Sequence, residues 1–158
     1  MGYLSRYNKE LPKARALYDS IGEVDCPYLK CNVIFNARGF HHLQFSSGSE
    51  RSKKSQLNKF ALLPSAIKII TQSGTLQQYR EQLGAVGRKK GKSGMRDTKQ
   101  MKYWAFEGIL GQDKSFIRVK AVVRQIGDGP KHFWSAMSDT AFNRKSNYKL
   151  ATDDVIDG

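Results

Sequence analysis

Three runs rich in β-branched and aromatic residues crowd the second half of the chain. They are "YWAFEGIL" (103–110), "SFIRVKAVVRQI" (115–126) and "KHFWSAM" (131–137), with "GQD" and "GDGP" marking the breaks between them. Connections this short only suit antiparallel neighbours, because a parallel crossover needs a dozen residues or more. The C-terminal half therefore predicts an antiparallel meander. Side chains alternate along an extended chain. Ile117, Val119, Ala121 and Val123 then share one face, suited to a core. Arg118, Lys120 and Arg124 share the other, with Val122 between the last two cations.

The N-terminal half supplies the helices. Leu11, Ala14, Leu17, Tyr18 and Ile21 fall near helical spacing over residues 9–21. "LKCNVIFN" (29–36) reads as a strand, and after turn residues 36–39 "FHHLQF" reads as a second short extended piece. A helix follows, with Ser49 as its cap, Leu57, Phe60 and Ala61 inward, and Pro64 stopping or kinking it. Residues 65–70 fit a helix or a short strand, while "TLQQYREQL" beyond Gly74 reads as helical. Residues 84–102 hold four glycines, seven cations and one acid, the composition of a mobile basic loop. These elements predict a single basic α+β domain over 1–150, with N-terminal helices packed on a small antiparallel sheet formed largely by the C-terminal half. Residues 151–158 read as an acidic, flexible tail.

The formal charge of +13 points to a polyanionic partner. No stretch approaches the roughly 18–20 apolar residues of a membrane span, and the N-terminus lacks the apolar core of a secretory signal. Two cysteines make no disulfide framework, so a reducing cytoplasm is the expected setting. Cys26, Cys31, His41 and His42 are four possible zinc ligands, but their spacing matches no common finger. No metal and no cofactor is expected.

Alternate residues on a strand lie roughly 6.6–6.8 Å apart, comparable with successive phosphates on one nucleic acid strand. Arg118, Lys120 and Arg124 can thus track RNA, although a solvated outer face has the same pattern. His132 and Trp134 fall on one face of the next run, Ser135 on the other, and Trp134 offers a ring for stacking. Lys53, Lys54, Arg88, Lys89, Lys90, Lys92 and Arg96 add cations for nucleic acid. For chemistry near neutral pH the candidates are the three histidines, His41, His42 and His132. A histidine can take the 2′-hydroxyl proton of RNA while Arg51, Arg118 and Arg124 stabilise the phosphate, with no metal required. Alternation does not decide between His41 and His42.

The segments "NVIFNARGFHHLQFSSGSERSKKSQ" and "FIRVKAVVRQIGDGPKHFWSAM" resemble, in the order of their elements, the barnase/EndoU/colicin/RelE-like ribonuclease superfamily, especially its phage-associated and polymorphic-toxin branches. The resemblance spans roughly residues 28–137. It implies helices on a small antiparallel sheet whose open face cleaves RNA without metal. It would make His41 or His42 the acid/base, Arg51 a phosphate contact, and Arg118 and Arg124 neighbours of the scissile phosphate, with His132 as a further candidate. It also implies an acidic inhibitor or antitoxin protein as partner. The leading expectation is a small metal-independent endoribonuclease, with a toxin among the forms it could take. Competing with it are a nonenzymatic RNA- or DNA-binding protein and a basic protein that assembles on an acidic partner.

Overall fold

The computed structural model describes residues 2–90, 94–112 and 115–140. The acidic tail at 151–158 and Lys92 lie outside them. In chain order the elements are α1 (Tyr3–Ile21), β1 (Glu23–Cys26), β2 (Cys31–Ile34), α2 (Ala37–Gln44), β3 (Phe45–Ser46), β4 (Ser49–Glu50) and α3 (Lys53–Gln72). Strands β5 (Gln78–Lys90), β6 (Met95–Gln112), β7 (Ser115–Ile126) and β8 (Lys131–Thr140) follow. The six-stranded sheet runs β1-β2-β8-β7-β6-β5, and β3 and β4 form a separate small hairpin. Neighbours in the large sheet are antiparallel except β2 and β8, which meet in parallel at the single pair Ile34–His132. The molecule is an α+β fold, with the expected meander as β6, β7 and β8.

Val119, Ala121 and Val123 enter the main core as their alternation requires, joining Phe106, Phe133, Leu57, Phe60, Leu63 and Ile70. Helix α3 passes over β6, β7, β8 and β1, and α1 packs on α3. The other face of the sheet is not a plain solvated surface. Met101, Tyr103, Ala105 and Val122 are buried there, with Val86, Ile126, Trp134 and Met137 packed around them. Val122 interrupts the cationic row because it belongs to this second cluster.

Several local expectations are corrected. "FHHLQF" is not extended: it lies in and just after α2. Asn36 caps that helix by accepting from the Gly39 N–H at 3.3 Å, and Phe40 and Leu43 are buried three residues apart. Residues 84–102 are not a loop, since 84–90 and 95–102 are the paired arms of the β5–β6 hairpin. Glycine is used there for packing and bending: Gly84 lies against Met101, and Gly87 takes a φ of 75° where the register shifts. "TLQQYREQL" is likewise not helical, because most of it is the first half of β5. Helix α3 runs through Pro64 to Gln72, and its cap is Ser52 rather than Ser49, which lies in β4. The first helix also begins earlier than its apolar spacing indicated, at Tyr3.

Cys26 and Cys31 face each other across β1–β2 as free thiols, Cys26 buried and Cys31 half-buried. No group of three or more metal-ligating side chains occurs among the described residues. No described helix is long and apolar enough to cross a membrane.

Candidate active site

After the single pair with β8, β2 ends and the chain turns into α2, which then packs along β8. The approach is close because the helix presents Gly39 to the strand. A Cβ there would lie 2.4 Å from the Phe133 carbonyl oxygen and 2.3 Å from the Tyr18 hydroxyl. Strand β8 responds with a bulge. Val122 pairs with Ser135 and Val123 with Phe133, so Trp134 is the extra residue.

The bulge places Trp134 between α2 and β7. The His42 ring stacks on it at 3.8 Å between centroids, tilted by only 16°. The Arg124 guanidinium carbon lies 3.3 Å from the Trp134 ring centroid. Two planar groups this close to one ring overlap unless they occupy opposite faces. Trp134 is therefore the middle layer of a His42–Trp134–Arg124 stack, and its faces are taken. It is not the open stacking platform expected from the sequence.

Both ends of the stack are held. Arg51 donates from Nε to the His42 carbonyl oxygen at 2.9 Å, and its Nη2 meets His42 Nε2 at 3.2 Å. Its own N–H donates to the Gln44 carbonyl at 2.8 Å. Arg51 thus places positive charge at the C-terminal end of α2, where carbonyls lack helical partners. At the other end, Arg124 Nε donates to His132 Nε2 at 3.0 Å. Tyr103, opposite Arg124 on β6, lies beside the guanidinium. Burial lowers the Arg124 pKa from its ordinary value, Tyr103 opposes that, and Arg38 adds to it.

His132 is almost fully buried. Burial first, then the charge of Arg124, pushes its pKa down to about 4, while a hydrogen bond to Pro130 acts the other way. Proline has no backbone N–H, so its carbonyl accepts from the second ring nitrogen. A neutral His132 satisfies both contacts. Below pH 6.5 the unfolded chain takes up this proton more readily than the folded one. The stability that His132 contributes is therefore complete above about pH 6.5 and is lost as pH falls toward 4. Urea denaturation at about pH 7 and about pH 4.5 should differ by roughly 2–3 kcal/mol from this group. The difference should shrink in His132→Gln, and an unchanged difference would refute the assignment.

Ala37, Arg38, His41, Arg124 and Trp134 line an open cleft of about 500 Å³ beside the stack. Arg38 and His41 are exposed and lie on one face of α2, three residues apart. The His41 ring stacks on Phe45 at 4.5 Å with planes 11° apart, which fixes its orientation. The described lining carries two guanidinium groups, one imidazole and no carboxylate.

The structure thus gathers His41, His42, Arg51, Arg124, His132 and Trp134 at one place, but in unequal roles. His41 and Arg124 line the cleft, while His42, Arg51 and His132 support the stack. Arg118 and Lys120 are elsewhere. Lys120 is four residues from Arg124, roughly 13 Å along the strand. Both flank Glu107, at 3.9 Å each, so the expected row of three cations is broken and partly neutralised. Lys53 pairs with Glu50 at 2.6 Å and covers Tyr7, and Lys54 lies over Tyr3, so both face α1. Ser135 is buried, accepting from Lys59 Nζ at 3.2 Å. Arg96 is exposed on β6, and Arg88, Lys89 and Lys90 belong to the β5 backbone. Arg38 and Tyr103 were missed. The first is visible once "ARGFHH" is read as a capped helix, since i and i+3 then share a face; the second needs the sheet register.

Comparison with protein-family models, with curated proteins and with solved structures finds no match to this chain.

Proposed function

We propose that the cleft is the active site of a metal-independent endoribonuclease. The observation that carries the reading is the meeting of one exposed imidazole, His41, with two guanidinium groups, Arg38 and Arg124, in a single concave site. That set matches what RNA transesterification needs: a base near neutral pH and fixed positive charge where the phosphorane gains negative charge.

In this reading His41 takes the 2′-hydroxyl proton, and the freed oxygen attacks the adjacent phosphorus. The O2′–P bond forms as the P–O5′ bond breaks, leaving a 2′,3′-cyclic phosphate. The departing 5′-oxygen regains a proton from water or from His41 itself. Arg38 and Arg124 hold the nonbridging oxygens. His42, packed on Trp134, supports the scaffold in this reading and leaves the proton transfer to His41. The positive charge of the chain and the β5–β6 hairpin would add affinity for the RNA backbone.

Purified protein incubated with end-labelled RNA in excess EDTA tests the proposal. The parent should cleave to cyclic-phosphate ends, and His41→Ala should lower the rate by at least about 100-fold. Its thermal midpoint should barely move, because the ring is exposed. Salt-sensitive retention of intact RNA, with no cleavage by the parent, would instead identify a nonenzymatic nucleic-acid-binding protein.

A further inference from the structure

His132 was a candidate acid or base, yet it has no edge on the cleft. Its ring is enclosed by groups from every neighbouring element. Arg124 approaches from β7, and Trp134 meets the ring edge-on at 6.2 Å from two residues further along β8. Ile34 is its partner on β2, and the Pro130 carbonyl lies in the preceding turn. Arg38 of α2 is near enough to disfavour a positive charge on the ring. Tyr103 of β6 lies beside the same guanidinium, opposite Arg124 in the sheet register.

Such an enclosure is poor for proton transfer and good for holding something still. Arg124 would otherwise have several torsions of freedom. The Trp134 face fixes the plane of its guanidinium, and an acceptor at Nε fixes rotation within that plane. A carboxylate could do this too, but it would cancel the charge that the cleft offers to an anion. A neutral imidazole accepts the hydrogen bond and leaves the charge intact. We infer that His132 is a positioning residue that locks Arg124 Nε and aims the remaining guanidinium hydrogens at a phosphate in the cleft. The inference rests on the cleft being an RNA site. Its chemical content is that the positioning group must accept a hydrogen bond without carrying charge.

Three measurements separate this inference from the enzyme proposal. In uniformly ¹⁵N-labelled parent protein, a scalar coupling across the hydrogen bond should link Arg124 Nε with His132 Nε2. Its absence at neutral pH would overturn the inference. A 2′-O-methyl oligonucleotide, which cannot undergo the transesterification, should bind His132→Met about 10-fold more weakly than the parent. It should bind His132→Gln nearly as well, because the amide oxygen can replace the imidazole acceptor. In cleavage, His132→Met should lose about 100-fold in kcat with a smaller change in KM, and His132→Gln should recover most of it.

Equal defects in the two variants, or none in either, would sink the positioning role. His132→Gln also guards against a folding artefact in His132→Met, because a loss due only to misfolding would not be repaired by hydrogen-bond acceptance. A parent that never cleaves, yet shows the coupling and the graded oligonucleotide binding, would refute the nuclease and leave His132 as the residue that orients Arg124 toward a phosphate.

Discussion

Arg124→Lys is expected to lower RNA cleavage by about 1,000-fold, near the upper end of what removal of one transition-state donor costs. The charge is preserved, so a residue acting only as a cation would show a small effect. The geometry argues for a large one. Arginine meets three requirements at once: a plane that stacks on Trp134 at 3.3 Å, an Nε donor for His132, and further hydrogens for the cleft. Lysine provides a single ammonium on a flexible stem and cannot satisfy them together. Single-turnover cleavage beside a circular-dichroism melt is the measurement. Activity within about 10-fold of the parent, in a protein that melts normally, would remove Arg124 from the proposed chemistry.

The second large effect concerns stability. Gly39→Ala should destabilise the fold by about 3 kcal/mol, at the upper end of overpacking costs. For a chain of this size that corresponds to a fall of about 10 °C in Tm. The added Cβ would meet a backbone oxygen, that of Phe133, and the Tyr18 hydroxyl, which is itself held by donation to the Asn36 carbonyl at 2.6 Å. Neither atom is the loose end of a flexible chain. Relief requires α2 to move off β8, which would separate His42 from Trp134. The variant should therefore lose activity even at temperatures where it remains folded. An alanine variant with parental Tm and parental cleavage would show that the helix and strand are less tightly apposed than described.

The meander was legible because its information is local. Turn residues bracket each run, and alternation assigns Val119, Ala121 and Val123 to the core without knowledge of the partner strands, although Ile117, at the start of the same row, is exposed. The hairpin of β5 and β6 was not. Its arms are polar and glycine-rich, they cover little core, and their order comes from hydrogen bonds to each other, which composition does not reveal. The histidine segment failed for a different reason. Six residues containing two aromatics and a histidine doublet satisfy a strand pattern as well as a helical one. The deciding signal is the Asn36 cap with Phe40 and Leu43 three apart. Once α2 is read as a helix, Arg38 and His41 share its face, and half of the cleft follows. The other half depends on the bulge at Trp134, a property of pairing between β7 and β8 that no single segment encodes. That is why Trp134, His132 and Arg124 could be nominated by residue type while their actual roles, as layers and acceptors in one stack, could not.

The one parallel contact among the described strands, between Ile34 and His132, has a bearing on when the cleft can form during synthesis. It joins points about a hundred residues apart, so its loop closes late and at an entropic cost that nearer contacts do not bear. Helix α2 emerges from the ribosome early, carrying Arg38 and His41, while Arg124, His132 and Trp134 are still to be added. A nascent chain halted before β7 therefore holds only one wall of the cleft, and one halted between β7 and β8 has Arg124 but lacks His132 and Trp134. Competence would arrive as a single late step, when β8 slides in between β2 and β7.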